Sequence, residues 1–428
     1  MRNWALKKLQ KLLKRLAKAL IRRYHPLVVG ITGSVGKTST KLATAAVLNS
    51  KYKTRMPAGN LNNEVGLPLA IIGDYSSSGG AFFWLKVVGR AVVWLIFRLP
   101  YPEAIVLEYG ADRPGDIGYL LEIVRPEVAV VTAVGAVPVH VEFYNDAEEV
   151  ATEKSRLVRS LNGNGFAILN YDDPYVFEMK EKTKSKVITF GFKEGASMRI
   201  SGFENKSEDG RPTGIVFKLE YGGGFVPVRI DGVLGKPHAY AAAAAAAVGI
   251  SQGLNLVQIS EALARYPGER GRARILPGVK DSYIIDDTYN ASPLSTWSAL
   301  EILKEIPAPR KIAVLGDMSE LGKYTASAHE DTGAVAAETV NILVTVGVKA
   351  KFIAKGAVEK GLPEEAVWSF DSADEAKKKV QDLIKPKDLV LIKGSQSARM
   401  EKIVLEIMAE PEKASKLLVR QYGHWLRG

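Results

Sequence analysis

Short apolar runs alternate with helical stretches over the first part of the chain. Each run has the length of a buried strand, and apolar residues at helical spacing follow it. This alternation predicts a mostly parallel sheet with helices on both faces. The predicted strands are Leu27–Thr32, Glu103–Tyr109, Glu127–Ala133 and Gly165–Asn170.

The pattern changes after residue 186 and changes back near residue 270. From Lys186 to Val233 the runs are shorter, alternating and interrupted by glycine, which predicts antiparallel strands. The alanine-rich segment Ala239–Val248 predicts a closely packed helix. Strand and helix patterns then alternate again, which predicts a second, smaller α/β domain. Its expected strands are Ser282–Asp286, Lys311–Gly316, Ile342–Val346 and Asp388–Lys393.

These patterns predict an α/β protein in three parts. Residues 1–25 form a basic amphipathic helix, residues 26–270 a central domain with an apolar insertion near 76–100, and residues 271–428 a Rossmann-like C-terminal domain. The boundary is expected within Gly268–Pro277, where glycine, proline and arginine cluster. A chain of 428 residues is too long for one ordinary domain, in agreement with this division.

The first 25 residues account for most of the net charge of +11. This segment has nine basic and no acidic residues, so the rest of the chain is nearly neutral. Apolar residues from Leu9 to Ile21 recur at helical spacing, with Trp4 and Tyr24 at the ends. Such a helix is typical of contact with an anionic membrane surface. The alternatives are packing on its own domain or a partner, or salt-dependent binding of nucleic acid, which we do not expect.

A second apolar segment, Ala81–Phe97, is about as long as the shortest membrane-spanning helices. Lys86 and Arg90 stand four residues apart, so a helix would carry them as one narrow polar stripe. Two charges in mid-helix favour a position at the membrane interface over a span. A buried hairpin is the other alternative.

The chain contains no cysteine, which excludes disulfides, thiolate zinc sites and cysteine nucleophiles. A metal would therefore be bound by oxygen or imidazole ligands, as is typical of magnesium. This composition agrees with a cytoplasmic protein.

A phosphate-binding loop is predicted at Gly30–Thr38, between the first strand and a helix. Glycines there let backbone N–H groups surround a phosphate, Lys37 can reach the terminal phosphates, and Thr38 can bind magnesium. The position five before Gly36 is Ile31, whereas the general motif has glycine. The central domain is therefore predicted to be a P-loop ATPase domain of unusual type.

The form TGxxGKT resembles the nucleotide loop of the Mur ligase family. Further segments resemble family motifs in the same order and cover roughly residues 26–410. Several forms are most similar to the branch that adds D-alanyl-D-alanine to a cell-wall precursor. The segments are Asn60–Pro68, Leu107–Ala111, Arg125–Pro126, His140–Phe143, Ala151–Lys154, Ile168–Pro174, Asp286–Pro293, Val314–Gly322, Lys393–Ser395 and Arg399–Glu401.

The resemblance implies that ATP activates a carboxylate as an acyl phosphate, releasing ADP, before an amine attacks to form an amide. The cofactors would be ATP and Mg²⁺, and the substrates a muramoyl-peptide precursor and D-Ala-D-Ala. Closure of the two domains would exclude water from the acyl phosphate. The implied location is the cytoplasm, with peripheral contact at the inner face of the cell membrane as a further expectation.

The resemblance also assigns site residues. The implied catalytic residues are Lys37, Glu108, His140, Lys154 and Arg272. Magnesium would be bound by Thr38, Glu108, His140 and a carbamylated Lys154. ATP would be bound by Gly33, Ser34, Val35, Gly36, Lys37, Thr38, Ser39, His238, Asp286, Tyr289 and Asn290. The substrates would be bound by Asn60, Asn62, Asn63, Lys393, Ser395 and Arg399.

Structural roles are the alternatives for several of these residues. Glu108 can be a solvated carboxylate at a strand end, Lys154 a solvated lysine, and a single histidine a core residue. Lys393, Ser395 and Arg399 can instead cap a helix.

The sequence differs from the family pattern in two places, and these differences leave more than one function open. Only 25 residues precede the core, where the branch normally has a domain that binds the UDP-sugar. The segment Gly235–Ala241 has alanine where the family has asparagine. The alternatives are a related ligase for another amine or a lipid-linked precursor, and a nucleotide-dependent membrane scaffold.

Overall fold

The computed structural model of the chain describes residues 2–57, 59, 61–75, 79–135, 144–422 and 425, with the backbone alone for residues 2–6. Its described part contains two β-sheets, one of nine strands and one of six, each with helices packed on it. The predicted α/β fold class is confirmed, including a first sheet that is mostly parallel and then turns antiparallel.

The first sheet has parallel strands at its centre, and every predicted strand of this region is present. The order is β2-β3-β1-β4-β5-β6-β7-β8-β9, in which the last three strands pair in antiparallel fashion. The central strands are apolar and buried because helices cover both faces. The strands are β1 (Leu27–Thr32), β2 (Thr54–Arg55), β3 (Ala104–Glu108), β4 (Val128–Val131), β5 (Phe166–Asn170), β6 (Lys186–Gly191), β7 (Met198–Glu208), β8 (Arg211–Tyr221) and β9 (Gly224–Asp231).

Apolar cores fill the space between this sheet and its helices on both faces. One core includes Val29 and the buried alanines of α8. Side chains this small let α8 pack closely on α2. Another core includes Val28 and lies on the opposite face, as expected for alternating residues of one strand. The helices are α1 (Arg2–Tyr24), α2 (Lys37–Leu48), α3 (Gly66–Ile72), α4 (Ala81–Phe97), α5 (Asp116–Leu121), α6 (Ala147–Arg159), α7 (Pro174–Phe177), α8 (Lys236–Ser251) and α9 (Leu256–Leu263).

The second sheet follows α9, and its strand order is β10-β11-β15-β12-β13-β14. All pairs are parallel except β10 with β11. The strands are β10 (Arg274–Gly278), β11 (Ser282–Asp287), β12 (Lys311–Gly316), β13 (Ile342–Val346), β14 (Val367–Phe370) and β15 (Leu389–Lys393). The helices are α10 (Pro293–Glu305), α11 (Thr325–Ala337), α12 (Lys351–Glu359), α13 (Ala373–Leu383), α14 (Glu401–Ile407) and α15 (Ala414–Leu417).

The apolar side of α1 packs on its own domain. Leu13 and Leu20 are fully buried in the same core as Val28, and α3 and α4 are the neighbouring helices. A lipid surface therefore cannot reach this side, and the outward side of α1 is mostly basic.

Helix α4 is attached to the body of the protein by aromatic contacts. The Tyr24 hydroxyl donates to the carbonyl of Trp94 over 2.8 Å, and the Tyr24 ring stacks on Tyr101. The Arg90 guanidinium lies 4.5 Å from the Trp94 ring centre, so Arg90 faces inward and does not share an outward polar stripe with Lys86. In the described part of the chain, no helix has the length and apolar character needed to cross a bilayer.

Candidate active site

The loop between β1 and α2 has the backbone of a phosphate-binding turn. Gly33 has φ +146°, and a Cβ there would lie 2.0 Å from the Thr132 hydroxyl oxygen. Gly36 has φ +82° and directly precedes α2. Both positions favour glycine, the first also because the segment that follows β4 passes so close. The loop ends at a helix N-terminus, where N–H groups without helical partners attract anions.

Lys37 begins α2 and points back over this loop. Its Nζ donates to the carbonyl of Gly33 over 2.7 Å. Burial lowers the pKa of Lys37 and the positive charge of Arg272 lowers it further, while Glu108 and Asp112 oppose these effects. A cation already removed from water in this way interacts strongly with a phosphate.

Glu108 ends β3, next to β1 in the sheet, and its carboxylate turns toward the loop. The Thr38 hydroxyl lies 3.5 Å from Glu108 Oε2. The Lys41 ammonium lies 2.9 Å from Oε1, and both side chains of this ion pair are buried. Glu108 is therefore not a solvated strand-end carboxylate, because its charge is balanced by a buried lysine.

Lys154 lies on α6 and is 2% exposed. Burial, assisted by the nearby positive charge of Lys37, lowers its pKa from 10.5 to about 7. Asp112 and Glu153 act in the opposite direction. A substantial fraction of Lys154 is therefore a neutral amine near pH 7, which excludes the alternative of an ordinary solvated lysine.

The opposite wall of the site comes from the second domain. The Arg272 guanidinium lies 4.2 Å from the centre of the Tyr289 ring and 3.7 Å from the Glu269 carboxylate. The cleft between the two walls has a volume of about 520 Å³. It is lined by Ser34, Val35, Gly36, Lys37, Thr38, Asn62, Glu108, Asp112, Arg272, Tyr289, Asn290, Ala291, Ser292, Ser295, Ser319, Glu320, Ser395, Gln396, Ser397 and Trp425.

Two predicted nucleotide-binding residues lie behind the cleft wall. His238 is buried, with its ring nitrogens 2.9 Å from the Tyr266 hydroxyl and 2.8 Å from the carbonyl of Arg272. Burial lowers the pKa of His238 to about 4, so the ring is neutral at pH 7. Asp286 accepts hydrogen bonds from the backbone N–H and hydroxyl of Thr288, and burial raises its pKa to about 6. Both residues thus hold the backbone beside Arg272 and Tyr289.

Three residues predicted to bind substrate have structural contacts. Lys393 is buried, and its Nζ donates to Asp287 and to the carbonyl of Asn290 over 2.6 and 2.9 Å. Arg399 donates to Glu401 and to the carbonyl of Trp425. Asn63 accepts from the backbone N–H of Gly66, at the start of α3. The cleft wall does not include these three side chains, whereas Asn62 and Ser395 do line it.

Several residues of the cleft wall were not predicted from the sequence. Asp112 directly follows the Leu107–Ala111 motif, and Ser319 and Glu320 lie inside the Val314–Gly322 motif. Their position in or beside motifs was an available signal. Trp425 lies beyond the last motif and had no such signal.

The described part of the cleft offers few metal ligands of its own. The described residues contain no cluster of three histidine, aspartate or glutamate side chains that could bind a metal. They do bring Thr38 and Glu108 together beside the glycine loop, and a phosphate would supply further oxygens. The predicted residues Asn60 and His140 lie outside the described residues. The described donors therefore fit a magnesium ion bound jointly with phosphate.

A phosphate-binding loop and a buried carboxylate face an arginine across the cleft, an arrangement suited to an enzyme that uses ATP. The chain belongs to the Mur ligase family: residues 95–249 match the Mur ligase middle domain and residues 271–396 match the Mur ligase, glutamate ligase domain. The predicted family, ligase class and cofactors, ATP and Mg²⁺, are confirmed.

Curated relatives and solved structures agree on the branch. The UDP-N-acetylmuramoyl-tripeptide–D-alanyl-D-alanine ligase of Escherichia coli is 30% identical over 393 residues, covering 90% of this chain and 78% of that protein. The ligase of the same name from Bacillus subtilis is 28% identical over 401 residues, covering 93% and 79%. The MurF ligase of Thermotoga maritima, solved in complex with ADP, has a TM-score of 0.77 and 27% identity, covering 94% and 84%.

Proposed function

We propose that this chain joins D-alanyl-D-alanine to the free carboxylate of a muramoyl-peptide precursor, with conversion of ATP to ADP and phosphate. The observation that carries the proposal is the single cleft in which Lys37 and Glu108 face Arg272 and Tyr289. The curated relatives described above are named for the same reaction.

The first chemical step transfers the γ-phosphoryl group to the substrate carboxylate. Both reactants are anions, so the step depends mainly on positioning and on compensation of negative charge. We assign this work to Lys37 and the loop N–H groups on one side and Arg272 on the other. Thr38 and Glu108 would hold magnesium, which supplies further positive charge to the phosphates.

We also propose that Lys154 is carbamylated. Carbamate formation requires a neutral amine, and the pKa of Lys154 near 7 supplies one. The reaction would replace the buried Lys154 cation by an anion close to Lys37. The repulsion between the two lysine ammonium groups, which lowers the pKa of Lys154, would then be absent. The new carboxylate could bind metal, as the resemblance implies.

His238 and Asp286 have supporting roles in this proposal. They would bind the nucleotide indirectly, by holding the backbone at Arg272 and at Thr288. Lys393 would act in a similar way through the carbonyl of Asn290, which lines the cleft beside Tyr289. The proposed domains remain residues 26–270 and 271–428, with the hinge at Arg272.

The carrier of the precursor has two candidates. A UDP-linked muramoyl-tripeptide is the first, because the curated relatives are named for it. A lipid-linked precursor is the second, because α4 exposes an apolar face next to basic residues of α1. We further propose a cytoplasmic location with peripheral contact at the inner face of the cell membrane.

Product analysis tests both carriers. Purified protein is incubated with Mg-ATP, D-Ala-D-Ala and either the UDP-linked or the lipid-linked precursor, and the products are identified by mass spectrometry. A pentapeptide product from one precursor supports the ligase and identifies the carrier. Absence of product from both, with ATP binding intact, contradicts the proposed substrates.

A further inference from the structure

The outward face of α4 is apolar and covered by nothing in the described structure. Phe82, Leu85, Ile96 and Phe97 are 82, 69, 63 and 68% exposed. Together with Val93 they recur at helical spacing along one side of the helix. Single exposed apolar side chains are common, but a continuous row of this size marks an interaction surface.

This exposure is not a sign of a loosely attached helix. On the inner side of α4, Val87, Ala91 and Trp94 are buried, and Trp94 contacts Tyr101 and Arg90. The outer row is therefore held in a fixed direction by well-packed residues beneath it.

Basic residues of α1 stand next to the apolar row. Arg22, Arg23 and Arg98 line a shallow groove between α1 and the C-terminal end of α4. Arg23 also donates to the carbonyl of Ile96, which fixes the two helices side by side. Further along α1, Lys11 and Arg15 are exposed. The apolar row and the positive charges thus belong to one surface.

The apolar row and the neighbouring positive charges together indicate which partner binds this surface. A second copy docked through α4 would bring two strongly basic α1 helices close together, and like charges disfavour that arrangement. A bilayer containing anionic lipids offers an apolar interior to the row and phosphates to the arginines at the same time. Lys86, the one charged residue within the row, has a stem long enough to reach the headgroups.

We propose that the exposed face of α4 inserts into an anionic membrane surface, while α1 contributes only electrostatic attraction. This inference rests on the proposed peripheral membrane contact and states which helix makes each part of that contact. It reverses the simplest interpretation of the sequence, in which the apolar residues of α1 enter the lipid, because those residues are buried in the protein core.

The test is vesicle co-sedimentation of the full chain with phosphatidylcholine vesicles, with and without phosphatidylglycerol. The α4 variant combines Phe82→Ser, Leu85→Ser, Ile96→Ser and Phe97→Ser. A matched control changes equally exposed apolar residues elsewhere, Phe225→Ser, Val257→Ser and Val348→Ser. The charge variant carries Lys11→Gln, Arg15→Gln and Arg22→Gln. Thermal unfolding and ATP-dependent ADP release verify that each variant is folded.

The wild type should bind the anionic vesicles, and the control should bind equally well. The α4 variant should lose at least about tenfold in binding at every salt concentration, since apolar insertion is not screened by salt. The charge variant should lose binding mainly at low salt. Binding of the α4 variant equal to that of wild type would overturn insertion and leave an electrostatic attachment through α1. If the wild-type protein binds no vesicle, the membrane contact itself is overturned, and this holds whether the protein is monomeric or self-associates through α4. The ligase proposal would not be affected.

Discussion

Lys41 and Glu108 form a buried ion pair directly beneath the glycine loop, with 2.9 Å between the ammonium and one carboxylate oxygen. Lys41 also donates to the carbonyl of Gly59 over 2.9 Å. The other carboxylate oxygen of Glu108 faces the Thr38 hydroxyl. Lys41 therefore orients the proposed magnesium ligand and connects it to the segment that precedes Asn62.

Loss of Lys41 should destabilise the protein through this pair. Lys41→Met leaves the Glu108 charge buried without its cation, which costs about 3–5 kcal/mol of the free energy of unfolding. Lys41→Met combined with Glu108→Gln should cost less than the sum of the single changes. The measurement is a double-mutant cycle by denaturant unfolding, with the exposed Lys184→Met as control. Additive effects would contradict the coupling.

Carbon dioxide should react with Lys154 in a pH-dependent way. The folded pKa lies near 7 and the ordinary value is 10.5, so the neutral amine becomes dominant as the pH rises above 7. The ¹³C-carbamate signal from ¹³C-bicarbonate should grow across that range and disappear in Lys154→Arg, whereas exposed Lys378→Arg should retain it.

The same pKa shift affects stability. Between pH 7 and 10.5 the unfolded chain binds more protons at Lys154 than the folded chain. In the absence of carbon dioxide, this residue should therefore make the protein more stable as the pH rises through that window. Lys154→Met should reduce the slope of unfolding free energy against pH there. An unchanged slope would contradict the shifted pKa.

Arg272 should matter for catalysis more than for folding. Arg272→Ala removes a positive charge from the cleft, and we expect ADP formation to fall about 100- to 1000-fold. Arg272→Lys should recover only part of the rate, because an ammonium cannot stack on Tyr289 as a planar guanidinium does. Steady-state kinetics with exposed Arg265→Ala as control measures this. A rate unchanged in Arg272→Ala would remove the residue from the proposed mechanism.

Gly33 should not tolerate a side chain. Gly33→Ala places a Cβ 2.0 Å from the Thr132 hydroxyl oxygen at φ +146°, so the loop must shift. We expect a backbone cost of about 1–3 kcal/mol and weakened ATP binding. Gly163→Ala, where the new Cβ would meet no atom within 4 Å, is the matched control. Calorimetric titration with ATP distinguishes the two, and equal affinities would contradict the proposed loop geometry.

The strand positions and the phosphate loop were predictable because both depend on local patterns. Apolar runs gave the strands, and the family resemblance implied that Glu108 and Thr38 bind the same magnesium ion, in agreement with their proximity. Side-chain partners were less predictable. Nothing in the sequence around Lys393 indicates that its ammonium donates hydrogen bonds to Asp287 and to the carbonyl of Asn290. These contacts join segments about 100 residues apart.

The two apolar helices show the same limit. The pattern of α1 indicates an apolar side, and the structure shows that side buried against the core that contains Val28. The segment Ala81–Phe97 was predicted as one apolar helix, but hydrophobicity alone did not reveal which side packs. Trp94 decides this, through contacts with Tyr24, Tyr101 and Arg90 that only the folded chain creates.

The most direct test of the ligase proposal is ADP release by the purified protein with Mg-ATP, UDP-muramoyl-tripeptide and D-Ala-D-Ala, omitting each in turn. Release that requires both co-substrates, with a pentapeptide product of the expected mass, is the predicted result. ATP turnover that continues at the same rate without either co-substrate would contradict the proposed substrates.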